Sequence, residues 1–165
     1  MERVTLAVNR EARPSERLLK GVMIGLSVLF LLMAVVFDRG MMLPCFLTAM
    51  AAIVYSRAIR RMYEYTLENG RLRVDRLTDF GRVPRHEIIL RDIEALALPD
   101  DPAVARYRKG GGEKIRKYDY TSYREGVRWY TLIAKEDGER VKLLLDLDGA
   151  AIDYIRRENR GAVKV

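Results

Sequence analysis

Two uncharged stretches near the start of the chain constrain its fold more than any other feature. Residues 21–37 and residues 40–56 contain no charged side chain, and each stretch is 17 residues long. A membrane-spanning helix needs about 17–25 predominantly apolar residues. The first stretch can be extended past Lys20 to 18–37, and the second past Arg57 to 40–59. A long basic side chain can keep its charge among the headgroups while its backbone lies in the hydrocarbon. The sequence therefore predicts a two-helix transmembrane hairpin over residues 18–59.

Two other interpretations of these stretches are weaker. Helices in the core of a soluble protein usually carry a polar stripe, and these stretches have none. A cleaved signal peptide would have a shorter leading segment, and a second apolar run would not follow it so closely. The turn at residues 38–40 has room only for an antiparallel hairpin.

The basic residues around the two stretches predict the orientation of the hairpin. Lysine and arginine resist translocation, so the ends of the spans that carry most of them should be cytoplasmic. The turn between the spans carries only Arg39, whereas eight basic residues flank the outer ends: Arg3, Arg10, Arg13, Arg17, Lys20, Arg57, Arg60 and Arg61. We expect a multi-pass protein of the inner (plasma) membrane, with residues 1–17 as a cytoplasmic N-terminal segment and residues 62–165 as a cytoplasmic domain.

Beyond residue 62 the hydrophobic pattern changes from helical to alternating, which is typical of β-strands. Asn69-Gly70 and Asp137-Gly138 are hairpin-turn dipeptides, because these residues tolerate positive φ. A closing helix is expected at 148–159, with Asp148 as its N-terminal cap. The predicted strands are 63–68, 71–76, 85–90, 93–98, 115–122, 127–135 and 140–146.

Seven short strands followed by one helix resemble a pleckstrin-homology (PH) domain. The segments MYEYTLENGRLRVDR and HEIILRDIEAL, and a KLLL strand before the last helix, are similar to an uncharacterised family of small two-span bacterial membrane proteins. The resemblance implies an α+β fold, in which a transmembrane hairpin precedes a bent antiparallel sheet or barrel of about seven strands closed by a C-terminal helix. It implies no site residues.

The sequence offers no catalytic or metal-binding constellation. His86 is the only histidine, and no nucleophile is evidently paired with it. Cys45, the only cysteine, lies within the second span, so a zinc site lacks ligands. The segment 146–149 lacks the later ligands of a calcium loop, and 110–114 has Ile115 where a P-loop needs serine or threonine. We expect a non-enzymatic protein without cofactor or metal.

The basic excess of the domain is more informative. Residues 57–165 hold 24 basic and 19 acidic side chains, and residues 103–128 alone hold eight and three. Four tyrosines lie within this basic segment and a fifth follows it: Tyr107, Tyr118, Tyr120, Tyr123 and Tyr130. It could contact anionic lipid headgroups, bind nucleic acid with the tyrosines as stacking platforms, or be a solvated loop whose tyrosines pack on the sheet. The candidate lipid- or partner-contact residues are Arg57, Arg60, Arg61, Arg106, Arg108, Lys109, Lys114, Arg116 and Lys117.

These observations favour a membrane-anchored binding or scaffold module that contacts lipid or a protein partner. The alternative is a structural subunit of a larger membrane complex. Transport is less favoured, because the spans hold no ionisable group of the kind that lines ion paths. Gly21 and Gly25 form a small-xxx-small pair, which suits either homo-oligomerisation or packing within the hairpin.

Overall fold

The computed structural model describes residues 3–37, 39–105, 107 and 115–165. They form two compact units. One unit is a helical hairpin, in which α1 (Pro14–Val36) and α2 (Met42–Ile59) are joined through a 3-10 turn at Arg39–Met41. The first helix begins before the predicted span, because Pro14 fits the first helical position. The backbone N–H of Arg13, at the N-cap position, donates to the Glu16 carboxylate at 2.8 Å, which satisfies one donor at the start of the helix.

Small residues allow the two helices of the hairpin to approach closely. Ala34 and Ala52 are the buried residues of α1 and α2. A hydrogen bond of 2.9 Å between the hydroxyl groups of Ser27 and Thr48 links the helices. A Cβ placed on Gly21 or Gly25 would meet nothing within 4 Å. These two glycines therefore do not lie at the helix–helix contact within this chain.

The outer surface of the hairpin is apolar and uncovered. Both helices are long and apolar enough to cross a membrane, and only 6% of each apolar stretch is buried in the protein. The core helices of soluble proteins are mostly buried, so this exposure indicates association with a membrane.

The second unit combines the start of the chain with everything after the hairpin. Its described part contains eight strands in two four-stranded sheets, of orders β1-β2-β3-β4 and β5-β7-β8-β6. The α+β class is thus confirmed. The strands are β1 Val4–Arg10, β2 Arg61–Glu68, β3 Arg71–Thr78, β4 Gly81–Ile89, β5 Ile93–Ala97, β6 Arg116–Asp119, β7 Tyr130–Glu136 and β8 Glu139–Leu145; the helices are α3 Pro102–Ala105 and α4 Gly149–Glu158.

Strand β1 was not predicted, although its signal is present in the sequence. Val4, Leu6 and Val8 alternate with more exposed residues, and Val8 is buried in the core. This is the period of two that a half-buried strand requires. β1 extends the first sheet beside β2, so the N-terminal segment contributes to the domain that follows the hairpin.

Both predicted hairpin turns are present. Asn69 and Gly70 have φ of 51° and 72°, and Asp137 and Gly138 have φ of 50° and 83°. These angles match a type I′ turn, whose twist suits the flanking strands.

Strand β4 begins at Gly81, earlier than the predicted residue 85, and Pro84 lies within it. The pairing between β3 and β4 shifts register between Val74 and Asp75, and Asp75 lies opposite Pro84. Because β4 is at the edge of its sheet and the register shifts there, a residue without an N–H is accommodated.

The segment predicted as a strand at 115–122 is shorter, at Arg116–Asp119, and pairs differently from a hairpin strand. β6 runs parallel to β8 and lies at the edge of the second sheet. Parallel neighbours need a crossover connection, so their pairing is not encoded in a local turn.

One hydrophobic core joins the two sheets and α4. The C-terminal tail covers the outer edge of β5, since the N–H of Leu96 donates to Ala162 O at 2.8 Å. Asp148 caps α4 as predicted, accepting from the N–H of Ala151 at 2.8 Å. The largest fully buried core side chains include Tyr65, Leu67, Leu72, Leu132, Leu143, Leu145 and Ile155.

Candidate functional site

Three of the candidate contact residues lie where the hairpin ends and the first long strand begins. Arg57 and Arg60 are three positions apart at the C-terminal end of α2, and Arg61 opens β2. All three are exposed. None forms an ion pair with a residue that the structure describes, so their charges are available to an external anion.

A groove between α1 and α2 ends at two of these arginines. It has a volume of about 460 Å³. The walls are apolar, because the two serine hydroxyls in them bond to backbone carbonyls of their own helices. Ser56 donates to Ala52 O at 2.7 Å, and Ser27 donates to Met23 O at 3.0 Å. The groove is lined by Ile24, Ser27, Val28, Ala49, Ala52, Ile53, Ser56, Arg57 and Arg60. The two arginines were predicted from the sequence as contact residues. The groove was not, because it depends on how the helices pack.

Arg116 and Lys117 are exposed on the edge strand β6. Adjacent strand residues point to opposite faces, so these two side chains do not form one patch. The Arg116 guanidinium forms an ion pair with Glu139 Oε2 at 3.7 Å. Both side chains are largely exposed, and such a pair contributes little to the free energy of unfolding. Four further candidates, Arg106, Arg108, Lys109 and Lys114, fall outside the described residues.

The tyrosines described in this basic segment are engaged within the domain. Tyr120 is buried, and its ring lies 4.9 Å from that of Tyr63 in an edge-to-face contact. Tyr107 donates to Glu94 Oε2 at 3.1 Å. Packing accounts for their positions, which favours the interpretation in which these side chains belong to the fold rather than to a stacking platform.

His86 joins the two sheets. It lies within β4, and its side chain is buried. Nδ1 is 2.6 Å from Glu136 Oε2, at the end of β7, and the ring contacts that of Tyr118 at 4.4 Å. The other Glu136 oxygen accepts from the backbone N–H of Glu87 at 3.0 Å. Glu136 could not be identified from the sequence as the partner of His86, because 50 residues separate the two.

A polar network around Asp119 attaches β1 to the rest of the domain. Tyr123 donates to Asp119 Oδ2 at 2.5 Å, and Arg10 donates to the Tyr123 hydroxyl at 2.9 Å. Burial alone would raise the pKa of Asp119, but hydrogen bonds from Tyr123 and Thr121 outweigh it and hold that pKa below its ordinary value. Burial, with the nearby charge of Asp146, raises the pKa of Tyr65, whose hydroxyl donates to Tyr120 O at 2.7 Å.

A second cavity of about 480 Å³ lies between the β2–β3 turn and α4. Arg71, Arg91 and Arg157 line it together with Glu158. Arg71 is already paired with Glu87 at 2.6 Å, so part of the positive charge is neutralised within the protein. Among the residues that the structure describes, no three His, Cys, Asp or Glu side chains are grouped to hold a metal ion.

Comparison with known proteins identifies the family. Neither the curated proteins nor the solved structures gave a significant match. The sequence does match, over residues 4–165, the family described as "Bacterial PH-like domain (DUF6106)". The match includes strand β1, the hairpin and the whole domain that follows. The chain therefore belongs to this family of bacterial PH-like domain proteins, whose function is unknown.

Proposed function

We propose that this protein is a non-enzymatic, membrane-anchored binding or scaffold module that presents its PH-like domain at the cytoplasmic face of the inner membrane. The observation that carries the proposal is the uncovered apolar surface of the two helices. Only 6% of the apolar stretch of each helix is buried inside the protein. Such a surface is stable in hydrocarbon and not in water. The domain follows at once, because Arg60 alone separates α2 from β2 in the chain.

The distribution of basic residues supports the cytoplasmic placement. Arg39 is the one basic residue in the turn, whereas Arg57, Arg60 and Arg61 follow the second span. Positive residues are retained on the cytoplasmic side during insertion. The N-terminal strand belongs to the same unit as residues 62–165, which supports a hairpin whose two ends lie on one side of the membrane.

The partner that we propose is an anionic lipid surface or an acidic protein surface. The three arginines where α2 ends and β2 begins pair with no carboxylate among the described residues. They attract negative charge, and each basic group near an anionic surface contributes about 1 kcal/mol. Arg116 and Lys117 add exposed charge on β6. The non-enzymatic role is supported by His86 and Asp119, whose side chains bond within the fold.

Accessibility of single cysteines tests the topology. In a Cys45→Ala background, Gly40→Cys labels the turn and Asp153→Cys labels an exposed position on α4. With a membrane-impermeant maleimide on intact spheroplasts, we expect labelling at position 40, and at position 153 only after lysis. The opposite pattern, or a full chain that stays monodisperse in buffer without detergent, would refute the proposal.

Crosslinking of the full chain in native membranes separates a binding module from a fixed subunit. If the protein is a binding module, the partners that crosslink to it should be lost after a wash in moderate salt. Interactions between exposed charges are screened beyond about 10 Å at 0.1 M ionic strength. A stoichiometric complex that survives high salt and detergent would instead support the alternative of a structural subunit.

A further inference from the structure

We propose that the groove between α1 and α2 is a specific site for a phospholipid with an anionic headgroup. One acyl chain lies along the groove, and the lipid phosphate binds Arg57 and Arg60. This inference rests on the proposed function, because it requires the hairpin to span the membrane. It adds a defined lipid site within the hairpin, separate from any contact of the PH-like domain with the membrane surface.

The length of the groove matches one leaflet of a bilayer. Along α2 it extends from Ala49 to Arg60, which at the helical rise corresponds to about 16 Å. Half of the hydrocarbon core is about 15 Å. An acyl chain that enters from the leaflet at the outer ends of the helices would therefore reach the end of the groove with its headgroup level with the arginines.

The side chains of α2 explain why the groove is open and apolar. Ala49, Ala52 and Ser56 recur at three- and four-residue intervals, so these small side chains lie on one face of the helix. Ile24 and Val28 of α1 form the opposite wall. Because the hydroxyl of Ser56 is satisfied by a backbone carbonyl of its own helix, the wall requires no polar group from its occupant.

The charge at one end of the groove selects the headgroup. Arg57, in the last turn of α2, and Arg60, which directly follows the helix, both line the groove. A guanidinium group can bind two phosphate oxygens in parallel, which makes arginine well suited to phosphate. Neither arginine is paired with a carboxylate of the described residues. A net negative headgroup would neutralise both, whereas a zwitterionic headgroup carries its own compensating cation.

A second copy of the hairpin is a less suitable occupant. A copy related by a two-fold axis along the membrane normal would bring its own Arg57 and Arg60 to the same end of the groove. Four like charges would then face each other at the edge of a low-dielectric region, where their repulsion is weakly screened. An anionic lipid removes that repulsion.

The test measures lipid retention by the full chain in native mass spectrometry from mixed micelles. The probes are phosphatidylglycerol and phosphatidylcholine with identical acyl chains. We expect the unmodified protein to retain phosphatidylglycerol preferentially, and Arg57→Gln/Arg60→Gln to reduce that preference about 20- to 30-fold, at about fivefold per basic group. Ala49→Leu, which narrows the groove but keeps the charges, should also weaken retention of phosphatidylglycerol.

The matched control removes two charges elsewhere. Arg91 and Arg160 are exposed and do not line the groove, so Arg91→Gln/Arg160→Gln should keep the preference. Equal loss in this control, or no preference in the unmodified protein, would overturn the proposal. So would a disulfide between two copies of an Ala49→Cys variant lacking Cys45, which would place a second chain in the groove.

Carbonate extraction of membranes from the same cells separates failure of this inference from failure of the proposed function. A protein that remains in the membrane pellet but shows no lipid preference contradicts only the lipid site. A protein released into the supernatant contradicts the anchor, and the lipid site with it.

Discussion

Arg10 links strand β1 to the rest of the PH-like domain, and its replacement by alanine should destabilise the domain measurably. Its guanidinium donates to the Tyr123 hydroxyl at 2.9 Å and to Asp119 O at 3.3 Å. The group also lies over the Tyr123 ring, 4.4 Å from its centre. The shorter hydrogen bond contributes about 1 kcal/mol, the longer one about half of that, and the cation–π contact about 0.5–1 kcal/mol. We therefore expect Arg10→Ala to lower the free energy of unfolding by about 2 kcal/mol.

The assay uses the single tryptophan of the chain as its reporter. Trp129 precedes β7 and is 37% exposed, so its emission should change when the domain unfolds. Urea unfolding of the full chain in detergent then gives the difference between variants. A double-mutant cycle with Tyr123→Phe isolates the hydrogen bond between the two side chains and should give a coupling of about 1 kcal/mol.

Two results decide the interpretation of this experiment. Arg91→Ala is the matched control, since Arg91 is exposed, and we expect it to change stability by less than 0.5 kcal/mol. If Arg10→Ala has an equally small effect and the coupling with Tyr123 is zero, β1 is not attached to the domain as described. The role assigned to the N-terminal segment would then be wrong.

Three further predictions use the same Trp129 assay. The pKa of Asp119 is held below its ordinary value of 3.8, so the ionised carboxylate stabilises the fold fully above pH 3.8 and this stabilisation is lost as the pH falls further. The Asp119→Asn variant should therefore be less stable than the unmodified protein at pH 7. It should also lose less stability than the unmodified protein between pH 5 and pH 3. Asn159→Ala should cost about 1–3 kcal/mol, because the two N–H groups of its side-chain amide are shared among three backbone carbonyls within 90–93, at 2.9, 3.3 and 3.0 Å. Leu143→Ala should cost about 2–5 kcal/mol, because that side chain is fully buried in the core.

Each of these predictions has a contradicting outcome. Identical acid dependence of the Asp119→Asn variant and the unmodified protein would show that this carboxylate does not control acid stability. An Asn159→Ala variant as stable as the unmodified protein would mean that α4 is attached to residues 90–93 by other contacts. A cost below about 1 kcal/mol for Leu143→Ala would contradict the close packing between the two sheets.

The elements predicted correctly are those with local signals. The uncharged stretches need only their composition and length to predict two long apolar helices. Asn69-Gly70 and Asp137-Gly138 predict their turns through the φ angles that these residues tolerate. Asp148 predicts the start of α4 because a cap forms within one turn. The first strand had an equally local signal in Val4, Leu6 and Val8, and was missed although the pattern was present.

In the candidate site, too, the features that could be predicted are those with a local signal in the sequence. Arg57 and Arg60 were named from the sequence because charges next to an apolar span are visible in a single stretch. The groove that ends at them is formed by side chains from two helices. Its shape could not be predicted, because it depends on which faces of α1 and α2 meet. Glu136, the partner of His86, was missed for the same reason.

The sequence by itself determined that the chain contains two apolar helices, a β-rich domain with two tight hairpins and a capped final helix. These features follow from the chemistry of neighbouring residues. Only the tertiary structure decided that the N-terminal strand joins a sheet formed after the hairpin, that β6 pairs in parallel with β8, and that a groove between the helices ends at Arg57 and Arg60. Each of these depends on contacts between residues far apart in the chain, whose pairing results from packing of the whole fold and not from any single segment.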